Sequence, residues 1–154
     1  MIEITVYGIP APQGSKRHVG RGIMIESSAK VKPWREAVKW AAIEQDSRVT
    51  GAVALGVDFY LPRPKSAKAG ATASKKPDLS KLIRSTEDAL TEAGVWEDDA
   101  RVISMRATKN YVGDGMDRPG AKITIEGIEY GSSNAGDSGT RKKTNGTGRK
   151  NSVG

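Results

Sequence analysis

The sequence predicts an α+β fold: a single domain with one mixed β-sheet and two main helices, followed by a disordered basic tail. Three observations carry this reading. Runs of β-branched and aromatic residues alternate with polar ones at residues 2–8, 52–60, 102–111 and 121–128, as strands require. Residues 33–46 and 79–93 instead repeat apolar side chains at helical spacing. The two kinds are mixed without a strict β-α-β alternation, which is the pattern of an α+β domain with one mixed sheet.

The elements follow in order. IEITVYG (2–8) reads as a strand and runs into a loop rich in Pro, Gly and base, IPAPQGSKRHVGRG. GIMIE (22–26) reads as a short partner strand. The first main helix begins at Pro33, a residue suited to a first turn, and Trp34, Val38, Ala41, Ala42 and Ile43 form one face. A strand over 52–60 is stopped by Pro62 and Pro64. KSAKAGATASKKP (65–77) holds four lysines and no acid. It reads either as a flexible solvated linker or as a loop that contacts phosphate. In the second helix Leu79, Leu82, Ile83, Thr86, Ala89, Leu90 and Ala93 share a core face, and Gly94 stops it. VISMRATKNY and AKITIEGI read as strands, and no internal repeat is visible. Residues 131–154 are Gly, Ser, Thr, Asn and base, too poor in apolar area to fold alone. The domain therefore covers 1–130 and the tail 131–154.

Composition narrows the chemistry. At 154 residues the chain fits one domain with a real core. It has no Cys, so thiolate sites and disulfides are excluded. His18 is the single histidine, which removes His-rich zinc sites and Ser-His-Asp arrangements. Carboxylates, lysines, arginines and hydroxyls are left to do any catalysis, and hard oxygen ligands favour Mg²⁺ or Mn²⁺. The net charge of +7 suggests a polyanionic partner. Much of it sits in the tail, where Arg141, Lys142, Lys143, Arg149 and Lys150 face only Asp137. No apolar run approaches a membrane span and the N-terminus reads as a strand, so an intracellular, cytoplasmic protein is expected.

Against that basic background, carboxylates gather between residues 78 and 99: Asp78, Glu87, Asp88, Glu92, Glu97, Asp98 and Asp99. Asp78 stands where a helix N-cap belongs, and Asp98–Asp99 stands in a connection where acidic residues are ordinarily solvated. If the following strand passes beside the helix N-terminus, these carboxylates meet. Their repulsion is then relieved by a divalent cation, which binds a phosphate oxygen and activates a water. Asp88 lies away from the core face, as a surface or dimer-contact residue. Arg84 and Glu87 read as a surface ion pair, a role compatible with Arg84 also touching DNA.

The motifs GIPAPQGSKR, FYLPRP, KPDLSKL, DAL, GVWEDD and ATKNY occur in that order and spacing. Through them most of residues 1–130 resembles the RusA family of Holliday junction resolvases, crossover junction endodeoxyribonucleases often carried by phages and prophages. The resemblance implies a Mg²⁺-dependent, structure-selective endonuclease. It would act as a homodimer, resolving four-way DNA junctions by paired nicks in recombination and repair. It places the catalytic residues at Asp78, Asp99 and Arg84, and the metal at Asp78, Asp99, the adjacent Asp98 and Ser80. Three positions depart from the family pattern: Ser80 replaces an Asp, Arg84 replaces a Lys, and Lys81 stands where Asn is common. The loss of a carboxylate at Ser80 raises an alternative, a non-catalytic relative that binds branched DNA.

DNA-binding residues are expected at Lys16, Arg17, Arg21, Lys75, Lys76, Lys81, Arg84 and Lys109. The cluster Lys16, Arg17, His18 and Arg21 reads either as phosphate contacts or as a mobile basic loop. Lys109 faces either the acidic cleft or solvent. Trp34, Trp40 and Trp96 read as core or dimer contacts, because the few accompanying aromatics do not make a stacking surface.

Overall fold

The computed structural model describes residues 1–13, 21–113 and 115–128, with the side chains of 21–28 left aside. The elements are β1 (Ile2–Tyr7), α1 (Arg21–Glu44), β2 (Ala52–Leu61), α2 (Leu79–Glu92), β3 (Val102–Tyr111) and β4 (Gly120–Ile128), with a short 3₁₀ turn at Asp99–Arg101. The strands form one sheet in the order β1-β4-β2-β3. β4 runs antiparallel to both β1 and β2, whereas β2 and β3 are parallel. The sheet is therefore mixed, with two main helices, as the sequence predicts.

Register explains the core. Because side chains alternate across a sheet, paired residues share a face. Ile4, Ile123 and Val57 form one row, and Val6, Ala121 and Phe59 another; all six are buried. Both helices cover this face. Trp34 of α1 stands 6.4 Å from the Phe59 ring, and its indole N–H donates to the Thr86 hydroxyl of α2 at 3.2 Å. The other face carries Thr5, Lys122, Asp58 and Thr108 in one polar row. β3 continues the buried rows with Met105, Ala107 and Lys109, beside Leu55, Val57 and Phe59. At this edge the apolar cover thins, and Met105 and Ile103 are exposed.

The expected strand at 22–26 is instead part of α1, which is already helical at Arg21. A run as short as GIMIE satisfies a helical period as well as a strand period, so its pattern does not discriminate. Pro33 lies inside the helix, not in its first turn. Its missing N–H leaves one carbonyl of the preceding turn without its helical partner. The expected face of α1 holds for Trp34, Val38 and Ala42, which are buried, while Ile43 and Trp40 are exposed. Trp96 is buried like Trp34.

α2 follows the sequence closely. Leu82, Thr86, Ala89 and Leu90 are buried, with Leu79, Ile83 and Ala93 packed against the core edge. Its end is a Schellman motif. The Gly94 N–H bonds the Thr91 carbonyl at 3.0 Å and the Val95 N–H bonds the Leu90 carbonyl at 3.1 Å. Gly94 has φ +81°, which costs glycine nothing. Val95 is then fully buried, and the Trp96 indole N–H donates to the Thr91 hydroxyl at 2.7 Å. The GVW motif is thus a helix stop followed by two core anchors. The lysine-rich loop is closed by turns, with the Ala67 N–H on the Pro64 carbonyl and the Ala71 N–H on the Lys68 carbonyl, each at 3.0 Å. Ala73 is buried within it. The tail 131–154 lies outside the described residues.

Candidate functional site

Asp78 occupies the N-cap of α2 with an extended backbone, φ −68° and ψ 136°. An N-cap Asp ordinarily accepts from a backbone N–H in the first turn. Here the side chain makes no capping hydrogen bond. Its nearest ionic partner is the Lys81 ammonium at 3.8 Å, a loose and exposed pair that contributes little. The Asp78 carbonyl still accepts from the Lys81 and Leu82 N–H groups, so the helix begins normally while the carboxylate stays available. Ser80 is exposed on the same first turn.

The strand end that reaches this helix N-terminus is that of Lys109. Lys109 pairs with Phe59 across the sheet and therefore points toward the helices. Its ammonium donates to the Lys75 carbonyl at 2.6 Å and to the Pro77 carbonyl at 2.8 Å. Lys75 and Lys76 themselves are exposed. Beside them opens a cleft of about 870 Å³, floored by Pro10, Pro33 and Trp34 and rimmed by Lys30, Lys76, Lys81 and Asp78.

The loop after β1 is docked against this end of α2. The Ser85 hydroxyl donates to the Ala11 carbonyl at 2.7 Å, and the Gln13 N–H donates to the Lys81 carbonyl at 3.0 Å. Lys16, Arg17 and His18 lie outside the described residues, as does the side chain of Arg21. Nothing in the sequence marks Ser85 for this part, because a serine on a helix carries no signal for a bond to a distant carbonyl.

The acidic turn lies farther along α2. Asp98 caps the 3₁₀ turn, accepting from the Ala100 N–H at 2.8 Å. That bond holds its carboxyl below the usual range, aided by a hydrogen bond with Asp99 and by the charge of Arg101. Asp99 shows the opposite behaviour. The shared hydrogen bond with Asp98, some loss of solvation and the charges of Asp98 and Asp88 push its carboxyl up. Glu87 is also raised, by burial first and then by Asp99 and Asp88, with Arg84 opposing. Asp88, expected as a surface residue, is half-buried, and its charge acts on both Glu87 and Asp99. Arg84 is exposed and makes no hydrogen bond or ion pair among the described residues; it influences Glu87 by charge alone.

The structure thus spreads the sequence-derived residues along one flank of α2. Asp78, Ser80 and Lys81 stand at its start with Lys109. Glu87 and Asp88 stand with Asp99, ~13–15 Å further along the helix axis. Among the described residues no three carboxylates converge to enclose a metal by themselves. Asp78 and Asp99 are too far apart to share one ion, so each end of the flank fits only an ion that needs few protein ligands. Asp78 has a carboxylate uncommitted to the cap, and Asp99 sits among like charges that a cation would relieve. Mg²⁺ behaves in this way, keeping waters and drawing the rest of its shell from substrate phosphate.

No helix among the described residues is long and apolar enough to cross a membrane. The chain is 30% identical over 125 residues to the uncharacterized protein YqaN of Bacillus subtilis (strain 168), covering 71% of this chain and 87% of that protein. A family model, endodeoxyribonuclease RusA, matches residues 8–126, from the glycine after β1 to the last turns of β4. The match takes in the docked loop, the whole of α2 and the acidic turn, and on this basis the chain belongs to the RusA family of endodeoxyribonucleases.

Proposed function

We propose that this protein is a Mg²⁺-dependent, structure-selective endonuclease that resolves four-way DNA junctions by paired phosphodiester hydrolysis, acting as a homodimer. The observation that carries the proposal is the division of labour among the aspartates. Asp98 is committed to capping a turn, whereas Asp78 leaves its helix uncapped and Asp99 remains among like charges. Neither carboxylate serves the fold as a cap, and the like charges around Asp99 favour a bound cation.

In this reading divalent cations bind at the two ends of this flank, one at Asp78 with Ser80 acting through water and one at Asp99 with Asp98 contributing an oxygen. Mn²⁺ can substitute for Mg²⁺. When bound, the ion supplies a polarised phosphoryl group and a water of lowered pKa. Arg84, free of any ion pair among the described residues, faces the developing charge on the phosphate. Unlike lysine it keeps its proton, so it acts by electrostatics and not as an acid. Lys75, Lys76 and Lys81, with Lys16, Arg17 and Arg21 of the preceding loop, place the DNA backbone. Glu87 and Asp88 tune the charge around Asp99. Membership of a nuclease family lends no support to the non-catalytic alternative.

The experiment is incubation of the purified protein with a mobile four-way junction, in Mg²⁺ and in EDTA. Paired nicks in Mg²⁺ alone are expected. Junction binding with no cleavage at any Mg²⁺ or Mn²⁺ concentration would refute the proposal.

A further inference from the structure

We infer that Lys109 is a positioning residue for Asp78 and not a contact to DNA. The inference rests on the reading of Asp78 as a metal-holding carboxylate. Lys109 projects from the edge strand β3 toward the helices, and its ammonium bridges the carbonyls of Lys75 and Pro77 at 2.6 and 2.8 Å. An ammonium has three N–H donors, and these bonds take two of them. Both are charge-assisted, the stronger class of hydrogen bond.

The segment they hold has few other anchors. Pro77 has no N–H to give, so its carbonyl is its one main-chain hydrogen-bonding group. Asp78 is fixed on its C-terminal side by the helix, through its own carbonyl. On its N-terminal side the bond from Lys109 reaches the residue directly before it. Because the Asp78 side chain makes no capping bond and only a loose pair with Lys81 at 3.8 Å, its direction depends chiefly on the backbone. Lys109 therefore aims the carboxylate from the opposite layer of the fold. A misplacement of about 1 Å in such a group costs roughly 100-fold in rate.

The test separates positioning from DNA contact by salt dependence. A lysine that neutralises a phosphate contributes about −0.9 to the slope of log K against log salt. For Lys109→Met we expect an unchanged slope for junction binding and a cleavage rate at saturating junction lower by about 10- to 100-fold. We also expect several-fold weaker Mn²⁺ binding, read directly by calorimetry without DNA. A slope shallower by about 0.9, or Mn²⁺ affinity and rate both at the wild-type level, would overturn the inference. If Lys109→Met does not fold by circular dichroism, Lys109→Arg replaces it. That variant keeps donors and charge but not the short reach, so the same unchanged slope and weakened Mn²⁺ binding are expected, and wild-type Mn²⁺ affinity overturns the inference. Asp78→Asn is measured in parallel. If that variant retains wild-type Mn²⁺ affinity and rate, the reading of Asp78 itself fails, whatever Lys109 does.

Discussion

Neighbouring aspartates in one turn have opposite fates here. Asp98 accepts a backbone N–H and is lowered; Asp99 is raised by the bond to Asp98 and by Asp98 and Asp88. Asp99 therefore takes up a proton at higher pH than a free aspartate, and a cation must compete with that proton. The charges that act on Asp99 are Asp98 and Asp88; Glu87 feels Asp99 in turn, Arg84 acts on Glu87, and Arg101 acts on Asp98. Removing the Asp88 charge by Asp88→Asn lowers the Asp99 carboxyl, so the acid limb of Mg²⁺-supported cleavage should move to lower pH in a rate profile. The linkage has a matching sign. A carboxyl raised in the folded state favours folding below its unfolded value, and that contribution is lost as pH rises through the folded value. Asp88→Asn should accordingly raise the thermal midpoint at pH 7 but not at pH 3. A midpoint unchanged at both would show that Asp88 does not act on Asp99.

Ser80 stands where the family resemblance implies a further carboxylate. It is exposed one turn from Arg84. A hydroxyl binds a cation more weakly than a carboxylate because it cancels no charge. Ser80→Asp should lower the Mg²⁺ concentration needed for half-maximal cleavage. A titration curve left in place would show that position 80 does not face the ion.

Among the elements, α2 is the most legible in the sequence and α1 the least. The apolar spacing of Leu82, Thr86, Ala89 and Leu90 allows only a helix, and Gly94 marks its end. The Schellman closure makes a sharp prediction. Gly94 has φ +81°, and a methyl group there would meet only the Arg48 guanidinium, at 3.8 Å. The penalty for Gly94→Ala is therefore conformational, about 1–2 kcal/mol. Urea unfolding should show the loss; an unaltered midpoint would mean the αL conformation is not needed. For α1 the proline misleads. A helix can run through Pro33 when packing of Trp34 and Val38 outweighs the local cost, and sequence does not report that packing. Asp88 is half-buried and acts by charge on Glu87 and Asp99; periodicity assigns it an angle on the helix, but not the turn that arrives near it.

At the scale of the whole molecule, two helices on one sheet face leave the outer flank of α2 open beside the edge strand β3. The sheet layer supplies Lys109 to one end of this flank, and the turn before β3 supplies Asp99 toward the other. The sequence marks the residues of this flank, but the expected meeting of Asp78 with Asp98–Asp99 depends on how β3 runs, which it does not report. β3 places Lys109, not Asp99, at the helix N-terminus, because long-range register depends on the parallel pairing with β2. The bond from Lys109 to the Lys75 and Pro77 carbonyls has no signal in the sequence at all, since backbone carbonyls are common to every residue.

The acidic flank of α2 is held to support metal-dependent cleavage of branched DNA. Comparison of wild type with Asp99→Asn on a four-way junction in Mg²⁺, with binding and nicking measured on the same samples, tests this most directly. The substitution removes a ligand charge with little change of shape. Loss of several kcal/mol of charge stabilisation corresponds to a rate lower by about 100-fold or more. The expected result is that loss of nicking with junction affinity retained. Nicking by Asp99→Asn at the wild-type rate would contradict it.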